Sequence, residues 1–304
     1  MHLAYLILAH KNPSQLQRLV GRLSNEDTFI FIHLDKKAEN NQVFYNLLNG
    51  RKNVFFIEKQ VSVSWGAFSM IEATLAGLSE ILRFDSSFDR INLLSGMDYP
   101  IKSNTFIRDF FNKNQEREFL YYRPSPSPDL PLGGIDRYEY YYDYDNRTTE
   151  MDAYEIEMKA QGKKRPFIPG YIPYHGTQWW SLTSACAGYV LQQVSQEPEL
   201  LNFYRYTKFS DEQFFQTIIM NSGFAGNVIN DNLRYIDWSN QNPYSVDWKT
   251  NPPHPKTLTK DDYLKLRYST KLFARKFDEN TDRYILDYMD SLISPSHQAQ
   301  PARR

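Results

Sequence analysis

Apolar positions in the first 120 residues alternate between two patterns. Leu3–Ala9 is an unbroken apolar run stopped by His10 and Lys11, which is the length of a buried strand. After Asn12-Pro13-Ser14, residues Leu16, Leu19, Val20 and Leu23 recur at helical spacing and predict a helix over 15–23. The alternation continues with a strand at Thr28–Leu34 closed by Asp35-Lys36-Lys37, then a helix at Asn41–Leu48 and a strand over 54–57. A helix over 67–84 and a strand over 90–94 follow. This rhythm predicts a parallel sheet whose ligand crevice lies past the carboxyl ends of its strands. Standing there are His10, Asp35 and the turn Ser95-Gly96-Met97-Asp98.

In the middle of the chain the pattern is lost. Pro124-Ser125-Pro126-Ser127-Pro128 and Pro131-Leu132-Gly133-Gly134 break regular structure, and 138–145 is dense in tyrosine, so a long surface excursion is predicted. Regular structure resumes at Trp179-Trp180-Ser181-Leu182, with helices expected over 185–194 and 211–220 and a strand ending near Trp238. Pro252-Pro253-His254-Pro255 predicts a rigid loop, 260–266 a short helix, and 282–292 a helix with Thr281 as its cap. The tail over 294–304 is expected to be disordered. No internal repeat or heptad pattern occurs.

Composition narrows the classes. A chain of 304 residues with 41% hydrophobic and 15% aromatic positions can bury a core large enough to offset the entropy of ordering. Its 35 basic and 36 acidic residues nearly cancel, which removes the general field that gathers nucleic acid. One cysteine, Cys186, excludes an intramolecular disulfide and suits a reducing compartment, so a cytoplasmic protein is expected, with attachment at a membrane surface left open. No apolar stretch approaches the roughly 20 residues of a spanning helix.

Familiar site motifs are missing: there is no glycine-rich phosphate loop, HExxH, paired CxxC or GxSxG. The six histidines are scattered without metal-ligand spacing. What remains is an ordered set of segments: Ile32-His33-Leu34-Asp35, Val63-Ser64-Trp65-Gly66, Leu94-Ser95-Gly96-Met97-Asp98-Tyr99-Pro100-Ile101-Lys102, Ser210-Asp211-Glu212 before Phe214-Phe215, Leu233-Arg234-Tyr235-Ile236-Asp237-Trp238, and Leu272-Phe273-Ala274-Arg275-Lys276-Phe277. From residue 3 to about residue 278 the chain resembles the core-2/I-branching β-1,6-N-acetylglucosaminyltransferases and the related peptide O-xylosyltransferases.

That resemblance implies a single GT-A-like (Rossmann-like) α/β domain over 1–293, with a mixed, mostly parallel sheet flanked by helices. Residues 1–122 would bind the nucleotide-sugar, and 123–293 the acceptor and diphosphate. It implies inverting, metal-independent transfer of GlcNAc or xylose from a UDP-sugar to a hydroxyl on a glycan or peptide, with no cofactor. Inversion requires a base for the acceptor hydroxyl and stabilisation of the departing diphosphate. Glu212 matches the family's base, and Asp211 beside it is expected to cap a helix. Lys256 and Lys276 match the two cationic positions; a unit charge pair at about 4 Å is worth roughly 4 kcal/mol at an effective dielectric near 20. Arginine is frequent at the first of these positions, and Lys256 lacks its bidentate fork. His10 and Asp35 match nucleotide-contacting strand ends, and Asp98 stands where it could serve the donor site or simply anchor its turn. Trp238 matches an acceptor-stacking position, although the tyrosine expected two residues later is Asn240, and Arg137 matches a basic acceptor contact. Trp65 is expected to pack. The triplet Asp143-Tyr144-Asp145 is expected in a solvated loop, and with Asp98 it would serve a metal-dependent alternative. A further alternative is a carbohydrate-binding protein of the same fold without turnover.

Overall fold

The computed structural model describes residues 1–146, 148–239 and 254–293. Among the described residues ten strands form: β1 (Leu3–Ala9), β2 (Thr28–Leu34), β3 (Val54–Phe56), β4 (Arg90–Ser95), β5 (Asp98–Pro100), β6 (Glu118–Pro124), β7 (Tyr174–Leu182), β8 (Val228–Ile229), β9 (Arg234–Ile236) and β10 (Phe273–Arg275). Seven of them make one sheet in the order β3-β2-β1-β4-β7-β6-β8. The first four are parallel, while β7 runs against both β4 and β6. The α/β class and the mixed, mostly parallel sheet are therefore as expected. A small sheet, β5-β10-β9, was not legible.

The central strands read as continuous apolar runs because both sheet faces are covered. In β1, Leu3, Tyr5 and Ile7 enter one core with Leu16, Leu19 and Val20 of the helix Pro13–Leu23. Ala4 and Leu6 enter the other with Ile71, Leu78 and Ile81 of the helix Ser69–Phe84. That helix lies so close to β1 that a Cβ on Gly77 would overlap Leu6. It also carries the chain from β3 at the sheet edge across β2 and β1 to β4, so the strand order reverses between β1 and β4. A crevice opens at such a reversal.

Several expectations are corrected. The middle segment is less irregular than its prolines suggest: it holds β6, the helices Asp136–Glu139 and Thr149–Ala160, and the start of β7. The expected helix over 211–220 starts only at Phe214; Ser210–Glu212 is a separate 3-10 turn, and Gln213 at φ −137° interrupts the two. Asp211 thus caps no helix. Ahead of the helix Tyr284–Ile293, the amides of Tyr284 and Ile285 donate to Asp282 Oδ1, so Asp282 is the cap and not Thr281. The expected tail over 294–304, Pro252-Pro253 and Asn240 lie outside the described residues. Among the described residues, no helix is long and apolar enough to cross a membrane.

Candidate active site

A cleft of about 330 Å3 opens past the ends of β1, β2 and β4. His10 and Lys11 follow β1, Asp35 follows β2, and Ser95 ends β4; all four line it. The antiparallel rungs Ile91 to Leu182 and Asn92 to Ser181 join β4 to β7. Beyond those rungs the Arg234 guanidinium donates to the Leu93 and Trp180 carbonyls, and Gln178 of β7 and Ser95 of β4 both line the cleft. In the small sheet β9 and β10 are parallel, so the residues leaving both strands emerge at one edge. Trp238 and Lys276 reach the cleft from there, and Arg275 joins them.

Asp211 and Glu212 also line the cleft. Their turn is held by Phe209, whose amide donates to the Gly66 carbonyl at 3.0 Å. Gly66 has φ +70°, and a Cβ there would sit 2.7 Å from the Phe209 ring, so glycine is required twice over. Next to it, Trp65 packs as expected, its ring meeting Phe209 and His254 at 5.1 and 5.3 Å, and at 51% exposure it also lines the cleft. Trp238, 46% exposed, lines the same cleft.

Charge is divided across this space. Burial, with Arg275 and Lys11 nearby, pulls the Lys276 ammonium below the ordinary lysine range, so an anion would meet a cation that gains from its arrival. Arg275 lies 4.0 Å over the Trp179 ring. Its Nη1 is 3.2 Å from Asp98 Oδ1, close enough for an ion pair but not aligned as a hydrogen bond. Lys11 donates to Asp278 at 2.8 Å. Burial and the Lys11 charge lower the His10 imidazole, favouring its neutral form. Asp35 Oδ1 accepts the amides of Lys37 at 2.8 Å and Val63 at 3.3 Å, which fixes it between two loops. Burial and the neighbouring Glu212 push the Asp211 carboxyl up to about 7.

Of the eight residues singled out from sequence, the cleft brings together His10, Asp35, Glu212, Trp238 and Lys276. Three are elsewhere. Asp98 is fully buried behind Arg275 and accepts the Ser95 amide at 3.1 Å, so it shapes the turn and backs the arginine without forming part of the wall. Lys256 Nζ donates to both carboxylate oxygens of Asp262 at 2.8 Å, which turns it away from the lining. Arg137 Nη1 donates to Glu212 Oε2 at 2.8 Å while its guanidinium covers the Phe209 ring, so it steadies Glu212 from behind. The triplet lies in an irregular loop as expected, and is tied down there: Asp145 Oδ2 accepts the Ser69 amide at the start of the helix Ser69–Phe84, and Asp143 closes a turn on Asn146. Among the described residues, no three His, Cys, Asp or Glu side chains gather as a metal site would need.

Sequence reasoning missed Arg275, Lys11 and Gln178. Arg275 stood beside an assigned lysine, and the alternation of a strand would send neighbours to opposite faces; only the end of β10 lets both reach the cleft. Gln178 belongs to the segment Gly176-Thr177-Gln178-Trp179-Trp180, which resembles the xylosyltransferase form of the family without marking Gln178 itself; its place on the cleft is seen only once β7 is formed.

Fold and site together define an α/β protein with a polar, cation-bearing crevice at the strand-order reversal. Residues 3–267 match the Core-2/I-Branching enzyme family, and the chain belongs to it. Xylosyltransferase 2 of Homo sapiens is 26% identical over 305 residues, covering 95% of this chain and 33% of that protein. Xylosyltransferase 1 of Rattus norvegicus is 26% identical over 314 residues, covering 98% and 36%. The chain thus spans about a third of the length of these curated relatives. The apo structure of mouse xyloside xylosyltransferase 1 is 14% identical and covers 80% of this chain and 90% of that one, at a TM-score of 0.39.

Proposed function

We propose that the cleft transfers a sugar from a UDP-sugar to an acceptor hydroxyl with inversion and without a divalent metal. Glu212 takes the hydroxyl proton as the acceptor oxygen attacks the anomeric carbon. Lys276 and Arg275 take up the charge of the departing UDP. Arg137 acts through Glu212, as a positioning residue. Asp35 and His10 hold the nucleoside, in keeping with a second recess of about 680 Å3 that shares both residues with the cleft. Trp65 and Trp238 offer exposed indole faces to a sugar acceptor. The observation that carries this reading is the placement of Glu212 in the same cleft as Lys276 and Arg275, in a chain of this family. The names of the relatives favour xylose as the sugar, with N-acetylglucosamine as the second reading.

The test is a panel of UDP-sugars with release of UDP as the readout, in excess EDTA. The native chain turns over UDP-xylose or UDP-N-acetylglucosamine, and Glu212→Gln lowers kcat at least about a hundredfold with UDP affinity retained. Turnover in the variant equal to the native rate would remove Glu212 from the base role.

A further inference from the structure

Most buried polar side-chain atoms in a folded chain have partners, so those without one mark places a ligand can complete. Among the described residues that line the cleft, such atoms occur on three side chains: Gln178 Nε2, Asp211 Oδ1, and Nε and Nη1 of Arg275. Arg275 has charge compensation from Asp98 and a ring beneath it. The Gln178 amide nitrogen has neither, and Asp211, although the Arg137 charge acts on it, has no donor on Oδ1. Both side chains are more than nine-tenths buried, at 7% and 8% exposure. An unmade hydrogen bond of this kind costs more than a made one returns, and at two adjoining wall positions the cost is doubled.

Position decides what completes them. Gln178 directly precedes Trp179, the ring under the Arg275 guanidinium, and Asp211 directly precedes Glu212. Both side chains therefore line the cleft beside groups the reaction would use, Gln178 next to the ring under Arg275 and Asp211 next to Glu212. In an inverting displacement the attacking oxygen and the leaving phosphate stand on opposite sides of the anomeric carbon, so the transferred ring occupies the space between them. A sugar ring carries neighbouring hydroxyls, each able to donate and accept. An amide N–H2 that needs an acceptor and a carboxyl oxygen that needs a donor form a matching pair.

We propose that Gln178 and Asp211 form the subsite that reads the hydroxyls of the transferred sugar, Gln178 donating to one hydroxyl oxygen and Asp211 accepting from a neighbouring one. This rests on the UDP-sugar reading of the cleft. Asp211, raised towards neutrality by burial and by Glu212, can also donate in its protonated form, which widens the hydroxyl geometries it satisfies. The pair acts on donor specificity and leaves the proton transfer to Glu212.

The experiment is isothermal titration of the full chain with UDP, UDP-xylose and UDP-N-acetylglucosamine, for the native protein, Gln178→Met and Asp211→Ala. The native chain binds one of the two UDP-sugars more tightly than UDP. Each variant holds its UDP affinity within about twofold and loses about tenfold in affinity for that UDP-sugar. Retained UDP affinity also certifies the fold of each variant, and Gln178→Met, close in shape to the native side chain, tests the pair even if Asp211→Ala does not fold. UDP and UDP-sugar affinities that fall together, or a UDP-sugar affinity unchanged in Gln178→Met, would overturn the subsite while leaving the parent reading in place. A collapse of kcat in Asp211→Ala with UDP-sugar affinity intact would also overturn it, by making Asp211 the base. A native chain that binds no UDP would overturn the parent reading and the subsite with it.

Discussion

Glu212 and Asp211 are adjacent in sequence and opposite in circumstance. Glu212 has Arg137 at 2.8 Å, whereas Asp211 Oδ1 has no protein partner and its carboxyl is pushed up to about 7. The sign for stability follows. In the unfolded chain the acid titrates near its ordinary 3.8, in the folded chain near 7. Between the two the unfolded state releases a proton that the folded state keeps. The stability Asp211 contributes is therefore full below the lower value and lost as the pH rises through the upper one. Asp211→Asn cannot ionise, so its melting temperature should gain on the native one from about pH 4 to about pH 8. A difference that stays flat across that range would mean that Asp211 titrates as an ordinary acid. At this scale the sequence showed which residue types matter, and their matches to a family drew attention to Glu212 and Lys276. It could not show that Asp262 engages Lys256, six residues away, or that Asp98 is buried behind the distant Arg275, because both depend on how the chain folds back on itself and on burial.

Elements with strong periodicity were legible nearly to the residue: β1, β2 and the helix Asn41–Leu48 fall where the apolar pattern puts them. β6 was not, because Glu118 opens it and Pro124 ends it; Glu118 is tolerated there since it accepts from the Thr183 amide and hydroxyl at 2.8 and 2.6 Å. The turn that presents Asp211 and Glu212 was mistaken for a helix start because acids there mimic a dipole-matched first turn. What fixes that turn is the clamp between Gly66 and Phe209, invisible to local pattern. Gly66→Ala adds a Cβ against the Phe209 ring and strains a left-handed backbone. It should lower kcat well beyond its effect on UDP affinity, since the catalytic turn moves while the cations stay. Asp145→Ala removes a cap from the helix Ser69–Phe84 and should cost about 1 kcal/mol in urea unfolding without making turnover depend on manganese. Restoration of activity by manganese in the native chain, lost in Asp145→Ala, would return the triplet to a metal role.

The whole molecule places its chemistry by topology. One sheet reverses strand order between β1 and β4, a second small sheet delivers Arg275, Lys276 and Trp238 to the same opening, and the Ser210–Glu212 turn adds Asp211 and Glu212 to its lining. The α/β class and the crevice past the strand ends were legible because parallel strands alternating with helices leave few other arrangements. The small sheet was not, since its three-residue strands are too short to carry a period and are brought together from three distant parts of the chain. If side-chain cations of this cleft grip the diphosphate, UDP binds without any metal, and titration of UDP in excess EDTA reads that grip. The native chain should bind, Lys276→Ala should weaken binding at least about tenfold, and Lys256→Ala should leave it within about twofold. Binding that appears only when manganese is added, or that Lys256→Ala weakens as much as Lys276→Ala, would contradict it.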